Sequence, residues 1–234
     1  MANFGALTDH FGLAATLGTL IEATKVSRPQ TRKDALDENG DIADTAYHGN
    51  TAGTLYDSTC VYQLDGAGAG PTSLDLEDVE IGQIATGKVV TSAAPDTSNS
   101  NWPKTTVVGV LGTPALEQDK KWALTGGTIY ARKQAQLIGV TVTTGELTSC
   151  GTAASCDLAQ ADDGEGEPVA FGVSGAIQTA TAEAVATSAA APVLAAAEGW
   201  TVQQATGVNE PQADWHTATI NVEKKLTVVI TPPA

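Results

Sequence analysis

The sequence predicts an all-β protein with one or two short helices, arranged as two related β-sandwich modules in tandem. Three observations carry this. Composition is poor in aromatic (5%) and charged (17%) residues and rich in small ones, with 24 Gly in 234 residues, a mixture suited to short strands and tight turns. Turn signals recur at roughly 8–12 residue spacing between short alternating or β-branched runs. The chain also repeats itself.

The repeat consists of three blocks in the same order. Asp37-Glu38-Asn39-Gly40-Asp41 through Gly49 matches Asp163-Gly164-Glu165-Gly166-Glu167 through Gly175, an offset of 126. Ile81–Val90 lies over Val193–Val202 at an offset of 112, with Gly87 on Gly199. Asn99-Ser100-Asn101-Trp102 and the strand after it match Gln212-Ala213-Asp214-Trp215 and its strand at 113. This divides the chain into an arm (1–13), a first module (14–120) and a second module (121–234).

Taken in order, residues 1–13 read as an arm anchored by Phe4, Leu7, Phe11 and Leu13. A strand is expected over Ala15–Val26, then a polar stretch from Ser27 to Asp37. Asn39-Gly40 is a strong short-range hairpin signal. Strands follow at Asp41–Tyr47 and Thr54–Gln63, the latter alternating Tyr56, Ser58, Cys60 and Tyr62 against Leu55, Asp57, Thr59 and Val61. Gly66-Ala67-Gly68-Ala69-Gly70-Pro71 breaks the pattern. Gly40 to Trp102 spans 62 residues and Gly166 to Trp215 only 49, so a loop insertion of 13 near 66–80 is expected.

Strands resume at Gln83–Ser92 and Thr105–Leu111. Thr113–Lys121 is a short helix or the linker between modules. In the second module Thr128–Thr144 is β-branched, although Arg132–Leu137 also suits helix. Leu147–Ala161 and Val169–Ala186 flank an acidic turn at 162–167 and make a long hairpin. Ser188–Glu198 is Ala-rich, with Pro192 near its start, which favours helix. Thr201–Gln204 and His216–Ile230 are the last strands, and Pro232-Pro233 ends the sheet.

Chemistry is sparse. His10, His48 and His216 have no metal-ligand spacing, and the chain lacks a Gly-x-Ser-x-Gly, a phosphate loop and a His-Glu-x-x-His motif. The Asp37–Asp41 turn begins like a calcium loop, but its Gly comes two places early and His48 stands where the bidentate Glu belongs. The reading is no catalytic residue, no cofactor and no metal site. Trp102 and Trp215 are expected to plug the edges of their modules, with sugar stacking as the alternative.

The net charge of −15, from 12 basic and 27 acidic residues, disfavours sequence-specific nucleic-acid binding. Basic groups such as Lys25, Arg28, Arg32 and Lys33 read as solvated turns or as partners for acidic turns on neighbouring subunits. Cys150 and Cys156, six apart, would lie roughly 20 Å from each other in one strand, so reduced thiols are expected, with Cys60 unpaired as well. Neither a secretory signal nor a membrane span is read.

The ensemble of an N-terminal arm, Leu20-Ile21-Glu22-Ala23-Thr24-Lys25 leading through a polar loop into Asp37-Glu38-Asn39-Gly40-Asp41, and duplicated β modules without chemistry resembles the major tail (tail tube) proteins of tailed bacteriophages. The resemblance covers most of the chain and transfers no site positions. It implies a non-enzymatic virion protein, assembled in the host cytoplasm, whose partners are itself and other virion proteins. Rings of β-sandwiches would stack into a hollow DNA conduit, a two-module chain closing as a trimer with pseudo-sixfold symmetry. The arm and the hairpins near 40 and 166 would reach across to neighbours. Capsid decoration or another virion component, and a carbohydrate-binding or surface β module, are the alternatives.

Overall fold

The computed structural model describes residues 18–50, 53–64, 73–75, 81, 84–85, 88–96, 103–112, 120–123, 128–130, 137–164, 166–186, 190–210 and 215–230. Among these residues every regular element is a strand. The first half contributes β1 (Thr19–Ser27), β2 (Thr31–Leu36), β3 (Ile42–His48), β4 (Tyr56–Gln63), β5 (Ser73–Asp75), β6 (Ile84–Ala85), β7 (Lys88–Asp96) and β8 (Lys104–Leu111). The second contributes β9 (Lys120–Ala123), β10 (Thr128–Tyr130), β11 (Val140–Thr144), β12 (Glu146–Asp162), β13 (Pro168–Val185), β14 (Val193–Ala196), β15 (Thr201–Glu210), β16 (Trp215–Lys225) and β17 (Thr227–Ile230).

The all-β expectation holds. The pairing, however, runs as one nine-stranded sheet in the order β1-β4-β8-β7-β12-β13-β16-β15, with β6 on β7, beside four two-stranded ribbons. Both halves share that sheet rather than closing as separate sandwiches. The ribbon β5–β10 also joins Ser73–Asp75 to the second half.

Within the sheet the halves repeat. Each supplies four antiparallel strands whose spatial order, numbered within the half, is first, second, fourth, third. Bulges recur at matched places: Leu20/Glu22 and Leu147/Ser149, Ala35/Leu36 and Ala161/Asp162, Val90/Ser92 and Val202/Gln204. Val90 opposite Gly109 and Val202 opposite Val222 reproduce the offsets of 112 and 113 read from sequence. A bulge is a costly local irregularity that one-residue slips would misplace, so three matched bulges mark a shared architecture.

The tips agree atom for atom. Asp37 N–H donates to Asp41 O (2.8 Å) and Gly40 N–H to Asp37 O (3.1 Å); Asp163 N–H donates to Glu167 O (2.9 Å) and Gly166 N–H to Asp163 O (3.1 Å). Gly40 and Gly166 carry φ of 85° and 80°, the left-handed conformation glycine adopts without a Cβ penalty.

Three expectations need correction. The length difference is not one insertion: Gly49 to Tyr62 spans 13 positions against nine from Gly175 to Ala184, and Tyr62 to Val90 spans 28 against 18 from Ala184 to Val202. The first excess is the β3–β4 connection, held by buried Asn50, whose Nδ2 donates to Arg28 O (2.9 Å) and Leu55 O (3.0 Å) while its Oδ1 accepts from Leu55 N–H (2.7 Å). The polar stretch 27–37 contains β2, a strand exposed along its whole length, which has no apolar alternation to reveal it. The Ala-rich segment 188–198 contains β14, not a helix: it pairs with β11 and half-buries Leu194 and Ala196, so tertiary pairing overrides alanine's helix preference. The helical alternatives at 113–119 and 131–136, the arm 1–13 and Gly66–Pro71 lie outside the described residues.

The main core draws on both halves: Leu20, Cys60, Tyr62 and Val107 from the first, Ala182, Ile220 and Val222 from the second. The β11–β14 ribbon packs against it through Val140 and Leu194, together with Trp200. A smaller cluster, formed by Leu55, Val110 and Phe171 with Leu158 beside it, lies apart. Leu55, just before β4, and Val110 on β8 have the opposite parity to Cys60, Tyr62 and Val107, so they face the other side of the sheet.

Candidate functional site

The residues singled out for chemistry do not converge. His216 is half-buried on β16; the imidazole of His48 and all of His10 lie outside the described residues, as do the side chains of Trp102 and Trp215. Among the described residues no group of three or more His, Cys, Asp or Glu is placed to hold a metal. The acidic tips serve their own backbones. Asp37 Oδ1 accepts from the N–H groups of Asn39 and Asp41, both at 2.9 Å, and Asp163 Oδ1 accepts from Glu167 N–H at 2.9 Å. These are Asx-type turn closures.

The basic residues are partly engaged within the chain. Arg28 Nη2 lies 2.9 Å from Asp57 Oδ1, Arg32 Nε pairs with Asp34 Oδ1 at 2.7 Å, and Lys25 Nζ sits 4.1 Å from the Tyr56 ring centre.

The most developed construction in the molecule is the seam between the halves. There β7 and β12 run antiparallel, Ala93 opposite Ala154 and Ser92 opposite Ser155. A bulge on each strand meets the other: β7 bulges between Val90 and Ser92, and β12 between Ser155 and Asp157. Cys156, left out of the pairing on β12 opposite Gly175 and Ala176 of β13, points its thiol at the carbonyls of Val90 (3.7 Å) and Thr91 (3.6 Å). Burial, with a smaller contribution from the Asp157 carboxylate, pushes that thiol up to about 11. Such a thiol is a weak donor in a joint rather than a nucleophile. None of the three cysteines is in a disulfide, and Cys150 and Cys156 stay apart along β12 as their spacing predicted.

The outer part of the β12–β13 hairpin then crosses onto the first half. Phe171, with Leu158 against it, joins Leu55 and Val110, and Gln160 Oε1 accepts from Arg28 Nη1 at 3.2 Å. One half is therefore clasped by the other twice, by strand pairing and by an overlying hairpin.

Among the described residues, no further strand pairs at either counterpart of this seam. In the second half β15 stands where β7 stands in the first, and each residue from Thr201 to Val208 is exposed. Val90 is 4% exposed and its counterpart Val202 is 47%. In the first half β1 stands where β12 stands in the second, and it is the other edge of the sheet. The β2–β3 hairpin, counterpart of the crossing hairpin, exposes Leu36 (63%), Ile42 (54%) and Tyr47 (52%). Sequence reading found both hairpin tips but not the seam, because edge and interior strands of this composition look alike.

No protein-family model, no curated protein and no solved structure matches this chain.

Proposed function

We propose that the chain is a non-enzymatic structural protein that self-assembles through its sheet edges. One observation carries the reading: among the described residues, a sheet of two repeated halves ends in two long unpaired edges, one exposed along eight consecutive residues. Unpaired edges template further pairing unless they are blunted. Here β15 carries neither Pro nor Lys from Thr201 to Glu210.

The resemblance to phage tail tube proteins supplies the finer reading, rings stacked around a DNA conduit in a virion. The net charge of −15 supports it, since an acidic lumen repels a passing phosphate backbone.

Negative-stain electron microscopy with light scattering, over a range of protein and salt concentrations, tests this. Rings or hollow tubes with three- or sixfold end views are the expected result. A particle that stays monomeric throughout overturns the proposal in favour of a decoration protein or a sugar-binding module.

A further inference from the structure

If copies of this chain join, as proposed above, the halves of a single chain already contain a pattern for the joint. We infer that the contact between copies repeats the contact within the chain: β15 of one copy pairs antiparallel with β1 of the next, and the β2–β3 hairpin of that next copy lies over the first copy's second half. The partner is a second copy of this chain, and the interface is heterologous, head to tail.

The register follows from the matched bulges. Offsets of 112 along β7 and β15 and 127 along β1 and β12 carry Ala93 onto Ala205, Ser92 onto Gln204, Ala154 onto Ser27 and Ser155 onto Arg28. The pairs Ala93–Ala154 and Ser92–Ser155 thus become Ala205 opposite Ser27 and Gln204 opposite Arg28 of the neighbour.

Strand direction agrees. The path from β1 to β15 holds eight strands, all joined by antiparallel pairs. A copy added in the same orientation therefore presents β1 antiparallel to β15, whereas an odd number would require an inverted copy.

The overlying hairpin follows the same map. Leu158 and Phe171 fall on Arg32 and Thr45, at the matched offset of 126. Their receiving residues Leu55 and Val110 fall on Ile177 and Glu223. Apolar packing within the chain becomes, between chains, an arginine of one copy facing a glutamate of the other. Both edge strands are covered by this one contact. If the rotation that relates the halves divides a full turn, rings close with two quasi-equivalent halves per chain.

The test is disulfide trapping in the full-length chain. Ser27 and Ala205 are both exposed small residues, so Ser27→Cys with Ala205→Cys leaves the fold intact. Under mild oxidation this double variant gives a ladder of covalent oligomers, with the 27–205 link identified by mass spectrometry. Ser27→Cys alone, and Ser27→Cys with Val208→Cys, give none of that ladder. A charge reversal, Arg32→Glu, causes loss of assembly that Glu223→Arg restores in the double variant. Assemblies seen by light scattering without the 27–205 link, or with Ser27→Cys alone cross-linking as efficiently as the pair, overturn this joint and leave self-assembly standing. A chain that remains monomeric at every concentration overturns both.

Discussion

Gly18 and Gly145 hold the same place in the two halves of the sheet, and each backs onto a carbonyl of the adjacent strand. Their φ values are 132° and 95°. A Cβ on Gly18 would lie 2.8 Å from the Gln63 oxygen, and one on Gly145 would lie 2.7 Å from the Val185 oxygen. Both sit two residues before a leucine that starts a bulge, Leu20 and Leu147. The repeat therefore extends to backbone conformations that only glycine adopts cheaply.

Replacing either glycine should consequently cost the same. Gly18→Ala and Gly145→Ala are each expected to destabilise by at least about 2 kcal/mol, from the positive φ and the backbone clash together. Urea unfolding checks this; a cost under half that at either site would mean the strand relaxes around the methyl group.

Phe171 anchors the crossing hairpin and is 4% exposed. Phe171→Ala should cost about 3–5 kcal/mol, the range for emptying a buried aromatic site. Hydrogen exchange should quicken in residues 157–174 more than in β16. Equal protection before and after the change would show that the hairpin is held by Gln160 and strand pairing alone.

Asn50 satisfies several backbone groups at once and is 3% exposed. Asn50→Ala strands the Leu55 N–H and leaves the Arg28 carbonyl without this donor, at a cost of about 1–3 kcal/mol. Asn50→Gly, which keeps the positive φ of 48° easy but removes the amide, should recover little of it. Thermal melts of the two variants separate backbone strain from lost hydrogen bonds.

The Cys156 thiol should be slow to react and should make the fold sensitive to alkali. Its pushed-up value of about 11 predicts labelling about two orders of magnitude slower at pH 8 than for a free thiol. Between the ordinary thiol range and pH 11 the unfolded chain releases this proton while the folded chain keeps it. Stability therefore falls as pH rises through that window and is unaffected by this group below it. Cys150 is shifted the same way by burial. Cys156→Ser should flatten part of the fall in denaturation curves taken from pH 8 to 11; an unchanged slope would assign the loss to other groups.

Shortening the chain by deleting Gly66–Pro71 should leave the melting temperature unchanged, because the first half is ten residues longer than the second between Tyr62 and Val90. Loss of folded protein by circular dichroism would show that this stretch is integral.

The sequence by itself determined that the chain is all-β, where the hairpin tips fall, and that two halves match at offsets of 126, 112 and 113. These are local matters: turn residues dictate φ, and alternation dictates which face of a strand is buried. It did not reveal β2, whose residues are exposed on both faces and so carry no period, nor β14, whose alanines favour helix until β11 pairs with them. Only the tertiary structure decided that the halves share one sheet. That depends on whether the outer edge of β7 meets β12 or water. Backbone N–H and C=O groups make that choice, and every residue but proline carries both, so the alternation of side chains does not record it.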